Sequence, residues 1–209
     1  MSAASPVRRG CLYVIAAPSG AGKTSLVKAV LDRDPALRVS ISHTTRKPRA
    51  HEVDGEHYHF VTVEEFKRLV AADAFLEHAQ VFDNFYGTSR AGVEALCSSG
   101  HDVILEIDWQ GAQQVRKAQP DCTTIFILPP SRLELESRLR NRKTDNEEVI
   151  QRRLRDCITD MSHYAEFDRV IVNEDFERAT SELLGLVRGG PGFDASRPQL
   201  KPLIAELLG

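Results

Sequence analysis

The octapeptide Ala17-Pro18-Ser19-Gly20-Ala21-Gly22-Lys23-Thr24 follows an apolar run at 12–16 and precedes an amphipathic segment at 26–31. Small residues at 20–22 let successive backbone N–H groups curl around phosphate oxygens, and a helix opening at the end of the loop adds positive potential. Lys23 has the reach for β and γ phosphates, and the Thr24 hydroxyl suits Mg²⁺. This is the pattern of a strand–loop–helix that binds a nucleoside triphosphate. The generic spacing G-x-x-x-x-G-K-[ST] asks for glycine where this chain has Ala17, so Ala17 is expected in an ordinary backbone region. Gly20 and Gly22 are the residues expected closest to the phosphates.

A second group of candidates starts at 42–49, Ser42-His43-Thr44-Thr45-Arg46-Lys47-Pro48-Arg49. Two arginines three apart around a proline, which restricts the path of the chain, suit a phosphate monoester. Taken alone they read more readily as a solvated basic loop. Downstream stand Tyr58, Glu77, Tyr86 and Thr88. A carboxylate accepts two hydrogen bonds from the N1–H and N2 amino group of guanine, whereas adenine offers an acceptor at N1, so Glu77 can discriminate bases. Strand alternation puts Glu77 on the face of Phe75, opposite Leu76, although a lone strand glutamate is commonly a solvated edge residue.

Between 132 and 155 the arginines 138, 140, 142, 152 and 153 and Lys143 alternate with Glu134, Glu136, Asp145, Glu147 and Glu148. Arg138 and Arg142 share a helix face if the helix runs that far. The interleaved acids argue against a nucleic-acid patch. His51, His57 and His59 with Glu52, Asp54 and Glu56 look like a metal site on paper, but no ligand spacing repeats, and they read as polar loop residues.

The elements that must carry these residues follow from the apolar periodicity. A strand at 12–16 and a helix over 26–31 lead to a short apolar element at 39–42. Then come an element at 57–61, a helix at 63–72, a strand at 75–82, a turn at 83–84 and a helix from 89. Beyond lie a strand at 103–107, a helix at 110–117, a strand at 123–128, a helix from 132, a polar break at 141–146 and a helix from 147. A strand at 170–172 and a helix at 176–187 complete the pattern, and the tail 199–208 is either a last amphipathic helix or loosely ordered. The alternation implies an α/β fold, a parallel sheet covered on both faces, interrupted by a small strand-rich insert.

With 209 residues, 42% hydrophobic and 27% charged, the composition is that of a globular protein with one core or at most two. No apolar run approaches the roughly 20 residues that cross a bilayer, so no membrane partner is expected. The apolar stretch 11–17 runs straight into the phosphate loop, so it is not read as a cleaved leader. Cys11, Cys97, Cys122 and Cys157 form no C-x-x-C pair and read as buried thiols, Cys11 and Cys122 at strand starts; a cytoplasmic setting is expected. A net charge of −3 gives no global attraction to nucleic acid.

The phosphate loop, SHTTRKPR at 42–49, Asp54-Gly55-Glu56-His57-Tyr58, Tyr86-Gly87-Thr88, Ile107-Asp108-Trp109-Gln110-Gly111 and Ile171-Val172-Asn173, in that order, resemble bacterial guanylate kinases. The resemblance spans about 10–188. It implies a P-loop nucleoside monophosphate kinase in which MgATP and GMP give MgADP and GDP, with dGMP as a second substrate. It implies a core at 1–41 and 93–209, a GMP-binding insert at 42–92 and a short lid near 139–150. Ser42, Glu77 and Thr88 would meet the guanine, and Arg46, Arg49, Tyr58 and Tyr86 the GMP phosphate. Asp108 would lie near the acceptor nucleotide and the outer shell of the metal. Arg138, Arg142 and Arg153 would close over ATP, and Asn173 would touch the adenine, unless it serves only to satisfy a turn's backbone. Glu106 stands where many relatives have aspartate, and Asn141 and Lys143 where lids often have glycine. A non-catalytic module on the same fold would lack Lys23 or Glu77, and a kinase for another base would lack the acid at 77. No oligomeric state follows from these residues.

Overall fold

The computed structural model describes residues 8–49, 51–81, 83–141, 147–190 and 198–209. They divide into two compact units, one gathering the described residues of 1–12, 36–105 and 110–122, the other those of 13–35, 106–109 and 123–209.

The second unit holds the strands that read as continuous apolar runs. β1 (Leu12–Ala16), whose last four residues belong here, pairs in parallel with β8 (Thr123–Leu128), which pairs in parallel with β9 (Arg169–Val172). All five residues of β1 and five of the six in β8 are buried, as expected for strands covered on both faces. The Asp168 carboxylate ties the starts of β8 and β9 together by accepting from the Thr124 backbone N–H and hydroxyl, both at 2.8 Å.

The helices of this unit are α1 (Lys23–Arg33), α5 (Arg132–Arg140), α6 (Glu147–Ser162), α7 (Phe176–Val187) and α8 (Leu200–Leu208), with a single 3₁₀ turn at Tyr164–Glu166. α5 and α7 start where Ser131 and Asp175 accept from the N–H groups of Glu134 and Arg178. The tail is therefore a helix, and Leu200, Ile204 and Leu207 are its buried side. α5 ends at Arg140, with Asn141 as its cap. Arg142, Lys143 and the rest of 142–146 lie outside the described residues.

The first unit contains β2 (Leu37–Val39) in parallel with β7 (Asp102–Glu106), whose last residue belongs to the second unit, and a four-stranded sheet in the order β4-β3-β6-β5. The sheet is built from β3 (His43–Thr44), β4 (His59–Phe60), β5 (Phe75–Val81) and β6 (Asn84–Ser89). Of the short elements expected at 39–42 and 57–61, only residue 39 and residues 59–60 are strand, because backbone 40–42 connects β2 to β3 and residues 54–58 form turns closed by the Gly55 N–H to the Tyr58 carbonyl, 2.8 Å. Three helices accompany them: α2 (Val63–Ala71), α3 (Arg90–Ser98) and α4 (Trp109–Ala118), the last mostly in this unit. Phe66 of α2 stacks on Phe75 and Phe85 with ring centres 4.8 and 5.5 Å apart, covering one face of the small sheet.

The register of β5 on β6 slips between Phe75 and Glu77, so residues 75–77 are all buried and simple alternation does not describe them. β7 stops at Glu106, leaving Ile107 and Asp108 beyond the strand. Cys97, Cys122 and Cys157 are buried, but Cys11 is exposed: it precedes β1, and its sulfur accepts from the Arg8 guanidinium.

Candidate active site

In the second unit, Ala17, Pro18, Ser19, Gly20, Gly22, Lys23, Thr24 and Ser25 line one concavity. Gly20 and Gly22 adopt φ of 91° and 94°, values that side-chain-bearing residues rarely accept, whereas Ala17 lies in ordinary backbone space. Gly22 sits at the N-cap of α1 in the left-handed region and supplies no side-chain cap, so the first amides of the helix are presented to an anion rather than to their own chain. Ser25, which the motif passes over, joins the lining because it lies in the first turn.

Two polar side chains at this loop are already oriented. The Lys23 ammonium donates to the Ile107 carbonyl at 2.7 Å. The Thr24 hydroxyl donates to a Glu106 carboxylate oxygen at 3.0 Å, leaving its lone pairs for a cation. Sequence reasoning underrated Glu106 beside Asp108; the signal was its place as the last residue of an apolar strand that ends at a phosphate loop. A hydroxyl and a carboxylate are hard oxygen donors and fit Mg²⁺.

Arg138 on α5 donates Nε–H to Glu134 at 2.7 Å and one Nη–H to the Asn173 carbonyl at 3.3 Å, while its other terminal nitrogen is buried with no hydrogen-bond partner. A buried guanidinium nitrogen left this way is costly unless an anion meets it. Asn173, 4% exposed, donates its side-chain N–H to the Ala21 carbonyl at 2.7 Å, so it supports the phosphate loop itself. Arg153 lies half-buried on α6. Asp108 is half-buried, and nearby Asp160 is held up to about 6, first by burial and then by the charges of Asp108 and Asp156, although Trp109 donates to it. Trp109 in turn stacks on His163 at 3.4 Å.

In the first unit, Arg46 is anchored rather than solvated. Both terminal nitrogens reach the Glu52 carboxylate, at 2.8 and 2.9 Å, and Glu52 also accepts from the Arg49 backbone at 2.7 Å. These bonds, the Arg46 guanidinium first, hold the Glu52 carboxyl down at about 2. The Arg46 guanidinium lies 5.4 Å from the centre of the Tyr58 ring, and Tyr58 packs edge-on to Tyr86 at 6.1 Å. Glu52 escaped the sequence reading, which grouped it with histidines; the available signal was an acid six residues after Arg46 across a proline-bent loop. Among the described residues no group of three or more His, Cys, Asp or Glu side chains is placed to hold a metal.

Glu77 and Thr88 face each other across β5 and β6, 5% and 0% exposed, and the Thr88 hydroxyl donates to the carboxylate at 2.6 Å. Tyr86 and Thr88 are two apart on β6 and therefore project from one face, opposite Phe85. The sheet thus brings together Arg46, Tyr58 and Tyr86 as one group and Glu77 with Thr88 as another on the same face. Ser42 is half-buried just before β3, and the Arg49 side chain is exposed. The arrangement offers a cationic, aromatic end for a phosphate and a buried carboxylate for a donor-bearing base.

The family model for guanylate kinase matches residues 9–188. A guanylate kinase of Alkalilimnicola ehrlichii is 54% identical over 202 residues, covering 95% of this chain and 97% of that protein. One of Methylococcus capsulatus is 54% identical over 202 residues, covering 96% and 99%, and one of Escherichia coli K12 is 54% identical over 182 residues, covering 86% and 88%. The crystal structure of guanylate kinase from Anaplasma phagocytophilum superposes with a TM-score of 0.71 at 34% identity, covering 87% of this chain and 86% of that one.

Proposed function

The chain belongs to the guanylate kinase family, and on that premise we propose that its phosphate loop holds the phosphoryl donor while the Glu77–Thr88 pair reads the acceptor base. It is an α/β P-loop kinase that transfers the γ-phosphoryl group of ATP to GMP, giving ADP and GDP. The observation that carries the assignment of the base is the buried Glu77 carboxylate. Thr88 donates to one oxygen, and guanine N1–H and its amino group are the paired donors that a carboxylate accepts. Adenine would leave that carboxylate facing an acceptor, and the unpaired polarity rejects it.

In this reading Ala17, Pro18, Ser19, Gly20, Ala21, Gly22, Lys23 and Thr24 cradle the triphosphate. Arg138, Arg142 and Arg153 offset charge on the transferring group. Ser42 joins Glu77 and Thr88 at the base, and Arg46, Arg49, Tyr58 and Tyr86 take the GMP phosphate, with Asp108 in the outer shell of the metal. Residues 42–92 are the GMP-binding insert, 1–41 and 93–209 the core, and 139–150 the lid. Thr24, oriented by Glu106, would be the protein oxygen that holds Mg²⁺. When bound there, the ion would supply charge neutralisation on the phosphates. The acceptor is already an anion, so no strong general base is needed; the obstacles are repulsion and alignment, which Lys23 and the arginines address. dGMP, sharing the base and phosphate, is a second acceptor. The same reading places the protein in the cytoplasm without a nucleic-acid or membrane partner.

The test is ADP formation from MgATP with GMP, dGMP, AMP, CMP or UMP offered separately. GMP turnover about a hundredfold above that of AMP, CMP and UMP, lost in Glu77→Ala and Lys23→Ala and abolished by chelating the divalent ion, is the expected result. Arg138→Ala should lower turnover on the order of 10³-fold. Saturable GMP binding without turnover would instead identify a non-catalytic module.

A further inference from the structure

A phosphate loop presents its amides to an anion only when its carbonyls are turned away from it. Two of those carbonyls have buried partners from elements distant in the chain. Asn173, just after β9, donates Nδ2–H to the Ala21 carbonyl at 2.7 Å. Cys157, on α6 and 1% exposed, donates Sγ–H to the Ser19 carbonyl at 3.2 Å. Burial pushes the Cys157 thiol up to about 12, so the S–H donor is intact at neutral pH. The fit on the loop is close: a Cβ at Gly22 would stand 2.4 Å from Asn173 Nδ2, and one at Gly20 would stand 3.0 Å from Leu135 of α5.

Asn173 is itself fixed, its backbone N–H donating to the Leu128 carbonyl at 2.8 Å at the end of β8, and its carbonyl accepts from Arg138. One residue therefore sets the orientation of both the loop and an arginine that carries an unpaired buried nitrogen. Alternating amide and carbonyl directions mean that a loop without these partners would have to be ordered by the ligand, at the expense of affinity.

We propose that Asn173 and Cys157 are positioning residues of the phosphoryl-donor site, which hold the Ala21 and Ser19 carbonyls outward so that the loop amides converge on the triphosphate, with Asn173 also setting Arg138. The inference rests on the donor-site reading above. It differs from an adenine contact by Asn173, because a brace acts on the phosphates whatever base is attached, or none.

The experiment measures binding of MgATP and of Mg-tripolyphosphate, which has no base, by calorimetry to the full chain and to Asn173→Asp, Cys157→Val and Cys157→Ser. Asn173→Asp keeps the side chain's shape but turns an acceptor toward the Ala21 carbonyl, and Cys157→Val keeps the site filled by an apolar side chain without a donor. Asn173→Asp should weaken both ligands by the same factor, about tenfold or more, and Cys157→Val by about threefold, a sulfur donor being the weaker. Cys157→Ser should stay within about twofold of the parent chain, and GMP binding should be unchanged throughout. Weakened ATP with unaltered tripolyphosphate binding in Asn173→Asp would overturn the brace in favour of a base contact, and unaltered binding of both ligands in Cys157→Val would remove Cys157 from it. Because binding is read without turnover, absence of kinase activity in the parent chain would defeat the functional reading and leave this result separately visible.

Discussion

Glu52 accepts three hydrogen bonds, two from the Arg46 fork and one from the Arg49 backbone, and its carboxyl is consequently held at about 2 against an ordinary 4.5. Folded below its unfolded value, such a carboxylate contributes stability above about pH 4.5 and loses it as pH falls toward 2. Arg46 is thus held in one orientation across the neutral range, which a phosphate monoester requires of a planar fork. Glu52→Gln should raise the KM for GMP about tenfold with the KM for ATP unchanged, measured by initial rates at neutral pH. Asp160 runs the other way. Burial first, then Asp108 and Asp156, raise it from 3.8 to about 6, so the native chain binds its proton more tightly than the unfolded chain and the residue's contribution falls as pH rises from about 4 to about 6. Asp160→Asn, whose amide oxygen can still accept from Trp109, should raise the urea midpoint at pH 7 and leave it nearly unchanged at pH 4; an equal shift at both values would contradict this account.

At the scale of elements, the phosphate loop depends on the start of α1 and the last helix on α6. Gly22 combines φ of 94° with Asn173 close behind it, so Gly22→Ala meets both backbone strain and a collision. MgATP binding should fall by at least about tenfold, checked by calorimetry, while GMP binding is retained. α8 packs against α6 and buries Leu207 completely. Leu207→Ala should cost about 2–5 kcal/mol in urea unfolding, the range for truncating a buried leucine to alanine.

For the molecule as a whole, the two compact units carry different ligand chemistry: a phosphate cradle in one, an arginine–tyrosine group with a buried carboxylate in the other. Each ligand stabilises what it binds, by about 2.7 kcal/mol at a hundred times its Kd. In hydrogen exchange, GMP should slow the amides of β5 and β6, and Mg-tripolyphosphate those of 18–25 and 173. Glu77→Gln should abolish the GMP protection alone. The same protection pattern with AMP would refute base reading by Glu77.

The local features were legible in the chain because they depend on neighbours in sequence. Small residues and a lysine between an apolar strand and a helix already specify a phosphate loop, and apolar periodicity placed α1, α2, α7, β8 and β9 close to where they lie. The family likeness supplied the residues proposed for each ligand. What chain-local reasoning could not supply are the contacts that join distant positions: Glu106 under Thr24, Asn173 and Cys157 on the loop carbonyls, and the burial of Glu77 by a slipped register. Exposure of Cys11 and the helicity of the tail were likewise settled by packing, against or beyond composition. A hydrogen bond across more than 80 residues leaves no period or spacing in the sequence. It exists only once parallel strands have brought their ends together, and there the tertiary structure decides which side chains act on the loop and which only surround it.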